Sequence, residues 1–224
     1  MRLLIALCAT LLVLQHGAFA QGQSAAQRRD ELARVQELIN DADPLMRIAN
    51  FEEIAAEGDA AKLQIAIKVA LTGNDRTLRG LAFRAYLAGV QRFQADLMID
   101  ANLQKQYDAA KSAGERQLRE LNDRVRYLGR FVENTAMKAD FQVSEFDMKK
   151  GRGKARINWF GNGRRDFEFQ INGDRLIAVF GVDSVASPDD CPIELRPTND
   201  LQIAGQFICK NTGFGTVKVT APMF

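Results

Sequence analysis

Histidine is almost missing from this 224-residue chain: its one copy, His16, lies close to the amino terminus. The stretch around it, MRLLIALCATLLVLQHGAFA, has a cation at Arg2, an apolar run from Leu3 to Leu14, and small residues at Ala18 and Ala20 flanking Phe19. Those are the three parts of a secretory signal peptide, so residues 1–20 are expected to be removed. The apolar run is too short for a bilayer span, which takes roughly 20 residues, and no other stretch is expected to cross a bilayer. The expectation is therefore an exported chain, periplasmic or extracellular, soluble after cleavage and not transmembrane. Cys8 has the outline of a lipid acceptor, but almost no hydrophobic segment precedes it.

Cleavage would leave no histidine at all. Ser-His-Asp and Cys-His chemistry need an imidazole base, and the usual catalytic zinc site needs imidazole ligands. No serine beyond the leader has a lysine three positions on, which removes the Ser-x-x-Lys arrangement as well. No catalytic residue, metal or cofactor is expected. Charge of one sign is lacking too, because Lys and Arg nearly balance Asp and Glu for a net of +2. A general nucleic-acid binder depends on many phosphate neutralisations, so nucleic acid is not an expected partner.

Cysteine is scarce, and the two copies beyond the leader, Cys191 and Cys209, flank the turn signal RPTND. In an exported chain an even pair reads as a disulfide. A hairpin folded at that turn brings both cysteines to one level.

Proline and glycine are sparse before residue 136, where Pro44 is the sole proline and Ala, Leu, Arg, Glu and Gln abound. That composition predicts a helical domain over 21–136. Leu32, Val35, Leu38 and Ile39 form a first apolar stripe. DPLMRIANFEEIAA from Asp43 then matches DRTLRGLAFRAYLA from Asp75, aligning Arg47 with Arg79, Phe51 with Phe83 and Ile54 with Tyr86. This pattern over residues 41–90 resembles the helical hairpins of HEAT-like repeats, in which an Asp opens the helix and an Arg follows in its first turn. The resemblance implies a protein-binding scaffold; a compact helical bundle is the alternative. Leu118, Leu121, Val125, Leu128 and Val132 step by three and four, the seam of a bundle helix or of a dimer through 118–132.

After residue 136 phenylalanines, alternating patterns and Asn-Gly turns predict an antiparallel β domain over 137–224. Six or seven strands are expected, near 141–148, 154–160, 165–171, 175–182, 191–196, 201–209 and 216–220. The fold class is thus α+β: a helical bundle or HEAT-like hairpins, then a small antiparallel sandwich or open barrel carrying one disulfide.

MKKGRGKARINWFGNGRR, residues 148–165, holds seven cations and no acid. Side chains alternate on a strand, so Lys150, Arg152, Lys154 and Arg156 share one face while Ala155, Ile157 and Trp159 share the other. A turn centred on Asn162 pairs Ile157 with Phe167, Ala155 with Phe169, Arg156 with Glu168 and Asn158 with Asp166. Lys149, Lys150, Arg152 and Lys154 find no acid in this register. They are either a solvated face that discourages edge-to-edge aggregation or an anion-binding site. Trp159 reads as core. A P-loop is excluded, because the spacing is too short and a strand follows.

Three functions remain open at this level. The first is a non-catalytic exported adaptor with an envelope protein partner. The second is a ligand-binding module for a glycan, an anionic polymer or a lipid headgroup. The third is a carboxylate-only hydrolase using two acids across a cleft, for which Asp183, Asp189 and Asp190 form the one acidic cluster of the β part.

Overall fold

A computed structural model describes residues 24–121, 125, 133, 137–159, 163–183, 188–209 and 215–224. The expected signal peptide lies outside the described residues, as do Leu128 and Val132 of the 118–132 seam.

Four helices come first: α1 (Ala25–Ile39), α2 (Pro44–Glu57), α3 (Ala60–Thr72) and α4 (Arg76–Gly89). Each starts where a short polar side chain accepts from orphan backbone N–H groups of the first turn. Ser24 and Gln27 form a reciprocal capping box on α1, and Asp43, Asp59 and Asp75 cap the next three. The buried faces are Val35 and Ile39 on α1, Phe51 and Ile54 on α2, Ala66, Ile67, Ala70 and Leu71 on α3, and Leu78, Ala82, Phe83, Tyr86 and Leu87 on α4. Phe83 on α4 is among the fully buried side chains of this core.

Two cap aspartates have a second role. Arg28 of α1 reaches Asp59 at 2.7 Å, and Arg47 of α2 reaches Asp75 at 2.8 Å. Each carboxylate thus satisfies the start of its own helix and binds a guanidinium from an earlier one. Both carboxyls are held below their ordinary range. For Asp59 the main cause is the Lys62 backbone N–H, followed by the Arg28 guanidinium; for Asp75 it is the Arg47 guanidinium, followed by the Leu78 backbone N–H.

The sheet is a closed, antiparallel, up-and-down barrel, not the expected sandwich or open barrel. Its strands are β1 (Arg92–Met98), β2 (Lys138–Asp147), β3 (Arg152–Trp159), β4 (Gly163–Asn172), β5 (Arg175–Asp183), β6 (Pro188–Pro197), β7 (Gln202–Cys209) and β8 (Gly215–Pro222). Closure depends on β1, which lies in the stretch read as helical. It pairs with β2 from Arg92↔Gln142 to Asp96↔Lys138 and with β8 from Asp96↔Thr220 to Met98↔Lys218. Two helices, α5 (Ala101–Ala113) and α6 (Glu115–Glu120), follow β1 before the chain returns. Without β1 the seven remaining strands would have had two bare edges; with it, every strand has two neighbours.

The barrel interior is packed. Phe93, Phe141, Phe167, Phe169, Phe180 and Phe207 point inward among Ala95, Ala155, Ile157, Ile193, Val217 and Val219. Phe93 stacks on Phe141 at 4.9 Å, and Phe180 lies 5.7 Å from Phe207. Eight strands enclose just enough room for such a filling. The outward faces of these strands carry Asp96, Lys138, Glu168, Gln170, Glu194 and Lys218, all exposed, the reverse of the apolar outer band of a membrane barrel. No helix among the described residues is long and apolar enough to cross a membrane.

The disulfide is formed: Cys191 and Cys209 sit opposite each other on β6 and β7, fully buried, with Cα atoms 4.5 Å apart. That spacing belongs to a non-hydrogen-bonded antiparallel pair, where side chains are closest.

Helix α4 closes one end of the barrel. Arg79, 8 % exposed, donates from Nη1 to the carbonyls of Leu71 and Gly73 and to Asn199 Oδ1, and from Nη2 to Pro197 O at 2.6 Å; Nε lies 3.4 Å from Asp174. It therefore ties the α3–α4 turn to the β4–β5 and β6–β7 hairpins. The approach is close enough that a Cβ on Gly80 would stand 2.5 Å from Gly173 O.

Two tests follow from these ion pairs. Removing one partner of a buried charge pair leaves the other uncompensated, so Arg79→Met should cost about 3 to 5 kcal/mol in urea unfolding. Arg79→Lys should recover little, because an ammonium lacks the planar fork. The second test concerns acid. Folded Asp59 and Asp75 titrate below the ordinary 3.8. Their contribution is therefore complete above that pH and is lost as pH falls through the depressed folded values. Asp59→Asn/Asp75→Asn keeps capping side chains, so thermal melts of the double variant should show a shallower loss of stability below about pH 4 than the parent.

Candidate interaction surface

The cationic ladder of β3 and the turn before it, read from sequence as matched at Arg156 and bare at Lys149, Lys150, Arg152 and Lys154, has a different wiring. Its β3–β4 register pairs Ala155 with Phe167, Arg156 with Asp166 and Lys154 with Glu168, two residues away from the expected pairing. Because the side-chain period is two, each residue keeps its face and only its opposite partner changes. Arg156 grips Asp166 at 2.6 and 3.1 Å, which raises the guanidinium's pKa and lowers the carboxyl's.

Lys154 reaches Glu145 on β2 at 2.9 Å, and that hydrogen bond raises its pKa. Asp147 accepts from the Lys150 backbone N–H at 3.0 Å and has the Lys150 ammonium at 3.5 Å. The backbone donor is the main reason its pKa is lowered. Lys149 is exposed in the turn. Arg152 is exposed at the start of β3, opposite Asp147 on one side and Gln170 on the other. Neither has a carboxylate partner among the described residues. Of the four proposed anion-site residues, two are matched to acids and two are not.

Sequence reasoning missed the next member. Arg84 on α4 lies under the hairpin turn: a Cβ on Gly151 would stand 2.9 Å from its guanidinium, and its Nη2 donates to Ile171 O at 3.1 Å. Its Nε is buried with no hydrogen-bond partner. Gly151 has φ 62°, a left-handed conformation that favours glycine. No local pattern marks Arg84, since its neighbour lies far along the chain.

A second feature adjoins this cluster. β1 pairing ends at Gln91, whose carbonyl accepts from Val143 N–H at 2.9 Å. A bulge then shifts the β2–β3 register between Val143 and Glu145, while pairing with β3 continues through Glu145, Phe146 and Asp147. Residues 144–147 therefore have a strand on one side only. On the other side lies a groove of about 570 Å³, lined by Leu87, Val90 and Arg92 across from Val143, Ser144 and Phe146. Phe146 stacks on Phe169 at 5.6 Å and is only partly buried.

The side chains of Trp159, Asp183 and Asp189 lie outside the described residues; Asp190 is exposed on β6, opposite Gly181. Among the described residues no three His, Cys, Asp or Glu side chains group as a metal site would. The exposed apolar residues include Leu45 and Met46 at the start of α2 and Ile177 and Val179 on the outer wall of β5.

Comparison with protein-family models, curated proteins and solved structures finds no match for this chain.

The close packing of the turn on α4 yields a test. Gly151→Ala should lower stability by about 1 to 3 kcal/mol, since it forces a left-handed backbone and presses a methyl group on Arg84. Lys154→Met, which breaks an exposed pair, should leave the urea midpoint nearly unchanged.

Proposed function

We propose that the protein is a non-catalytic exported adaptor, in which a four-helix array fixed on a packed barrel offers its surface to an envelope protein. The observation that carries this reading is where the volume lies. The barrel interior is filled with phenylalanine and aliphatic side chains, and α4 covers one end of it. The grooves lie outside, between α4 and β2 and among α1, α2 and α3. A filled barrel with exterior grooves suits recognition of another macromolecule better than enclosure of a small one. The HEAT-like pattern of residues 41–90 points the same way. Arg152 and Lys149, both without a carboxylate partner among the described residues, favour as a second reading a module for an anionic polymer or lipid headgroup.

The test is lysine-directed cross-linking of the tagged chain in its native cells. The expected outcome is a discrete protein adduct in the envelope fraction, on a chain whose amino terminus, by mass spectrometry, is Gln21. Recovery of polysaccharide or anionic lipid without a protein adduct would turn the reading to the second one. A chain retaining Met1 in the cytoplasm would remove the export premise.

A further inference from the structure

We infer that residues 144–147 of β2 form a docking edge for an extended acidic peptide, which adds as a strand in the groove and places carboxylates against Lys149 and Arg152. The inference rests on the adaptor reading and specifies its site and the chemistry of its partner.

Two independent features converge here. The first is the backbone. A strand with one bare side presents N–H and C=O groups to any extended chain that can lie beside it. In this barrel the bare side faces a groove with space for alternate side chains, and Val90, Val143 and Phe146 are its partly buried apolar surface. The groove runs along the last turns of α4, and Arg84 precedes them on that helix.

The second is charge. Around the edge three acids each have a cation: Asp140 with Arg92, Glu145 with Lys154, and Asp147 with Lys150. Glu168 faces Lys154 from β4. Lys149 and Arg152 remain, gathered at the β2–β3 turn where the edge ends. Lys149 and Arg152 are exposed and lack a carboxylate partner among the described residues, so they gain from a carboxylate, because charge-assisted hydrogen bonds are stronger than neutral ones. A basic or neutral strand would leave that excess unmatched. The bulge at Val143–Glu145 and the flanking lysines would also shield an edge from unwanted pairing, so the test must separate protection from recognition.

The probe is a fluorescent peptide roughly eight residues long, alternating Val and Glu, titrated with the mature disulfide-bonded chain and followed by anisotropy. Three companions are used: the same peptide with Lys for Glu, the same peptide with alternate backbone nitrogens methylated, and inorganic polyphosphate as competitor. The expected result is saturable binding of the acidic peptide, weakened about tenfold by Lys149→Glu/Arg152→Glu and reduced by added salt. Methylation should abolish it, because it removes the donors that strand addition requires. Both substituted residues are exposed, and an unchanged melting curve confirms a folded variant. Equal binding of the methylated or the Lys peptide would overturn the proposal. So would polyphosphate displacing the peptide at lower charge concentration, which would assign the cations to a polyanion. A chain that cross-links an envelope protein in cells yet binds no acidic peptide would overturn this site while leaving the adaptor reading in place.

Discussion

The guanidinium of Arg79 sits where a helix turn and two barrel hairpins meet, and the rest of the architecture is arranged around satisfying it. A buried cation is tolerated only with acceptors close by. Here the carbonyls of Leu71, Gly73 and Pro197, the amide oxygen of Asn199 and the carboxylate of Asp174 supply them. Those acceptors come from distant parts of the chain and converge at one point, so α4 can dock in one place and one orientation. The small residues Gly80 and Gly173 permit that approach. Once α4 is placed, Arg84 falls under the β2–β3 turn and Leu87–Val90 become one wall of the groove. The candidate surface is in this sense a consequence of a buried charge on the previous turn of the same helix.

The same interaction joins the two halves of the protein by a rule already in use among the helices. Arg28 binds the cap aspartate of α3, and Arg47 binds the cap aspartate of α4. Arg79, which aligns with Arg47 in the internal repeat, binds Asp174 in the β4–β5 turn. The barrel hairpin thus occupies the position that a further helix start would have taken. The side chain of Arg79 is also the less exposed of the two aligned arginines, at 10 % against 21 %. The junction to the barrel is therefore more deeply buried than the junction within the array.

Much of this was legible wherever the determinants are local. Cap aspartates at 43 and 75, the apolar stripes of the first helices, the cysteine pair across RPTND and seven of the eight strands follow from short patterns. β1 was hidden because RFQADLM has only three inward positions, Phe93, Ala95 and Leu97, one of them a helix-favouring alanine, and helices stand on both sides. Its identity as a strand is decided by distant partners, β2 and β8, so barrel closure could not be read from the stretch itself. The β3–β4 register failed by two because Trp159 pairs with Gly163, so the two strands are not related about Asn162. The faces survived that error, but the partners did not, and Arg156 meets Asp166. Lys154 finds Glu145 across a bulge on β2, and a bulge offsets register in a way that alternation alone cannot reveal. Arg84 was out of reach because its partner surface lies more than sixty residues further along the chain.

Closing a barrel ordinarily removes sheet edges, since each strand acquires two neighbours. In this chain closure is incomplete over a few residues, and the reason lies with α4. β1 has 7 residues and β2 has 10. β1 cannot begin earlier, because residues up to Gly89 are held helical and docked through Arg79 and the buried face from Leu78 to Leu87. β2 therefore runs past the start of its neighbour, and the bulge at Val143–Glu145 lets it keep pairing with β3 while turning beside the helix. Lengthening β1 would close the edge but would unwind the turn of α4 that carries Leu87. The stable cap and the bare edge are thus two outcomes of one constraint.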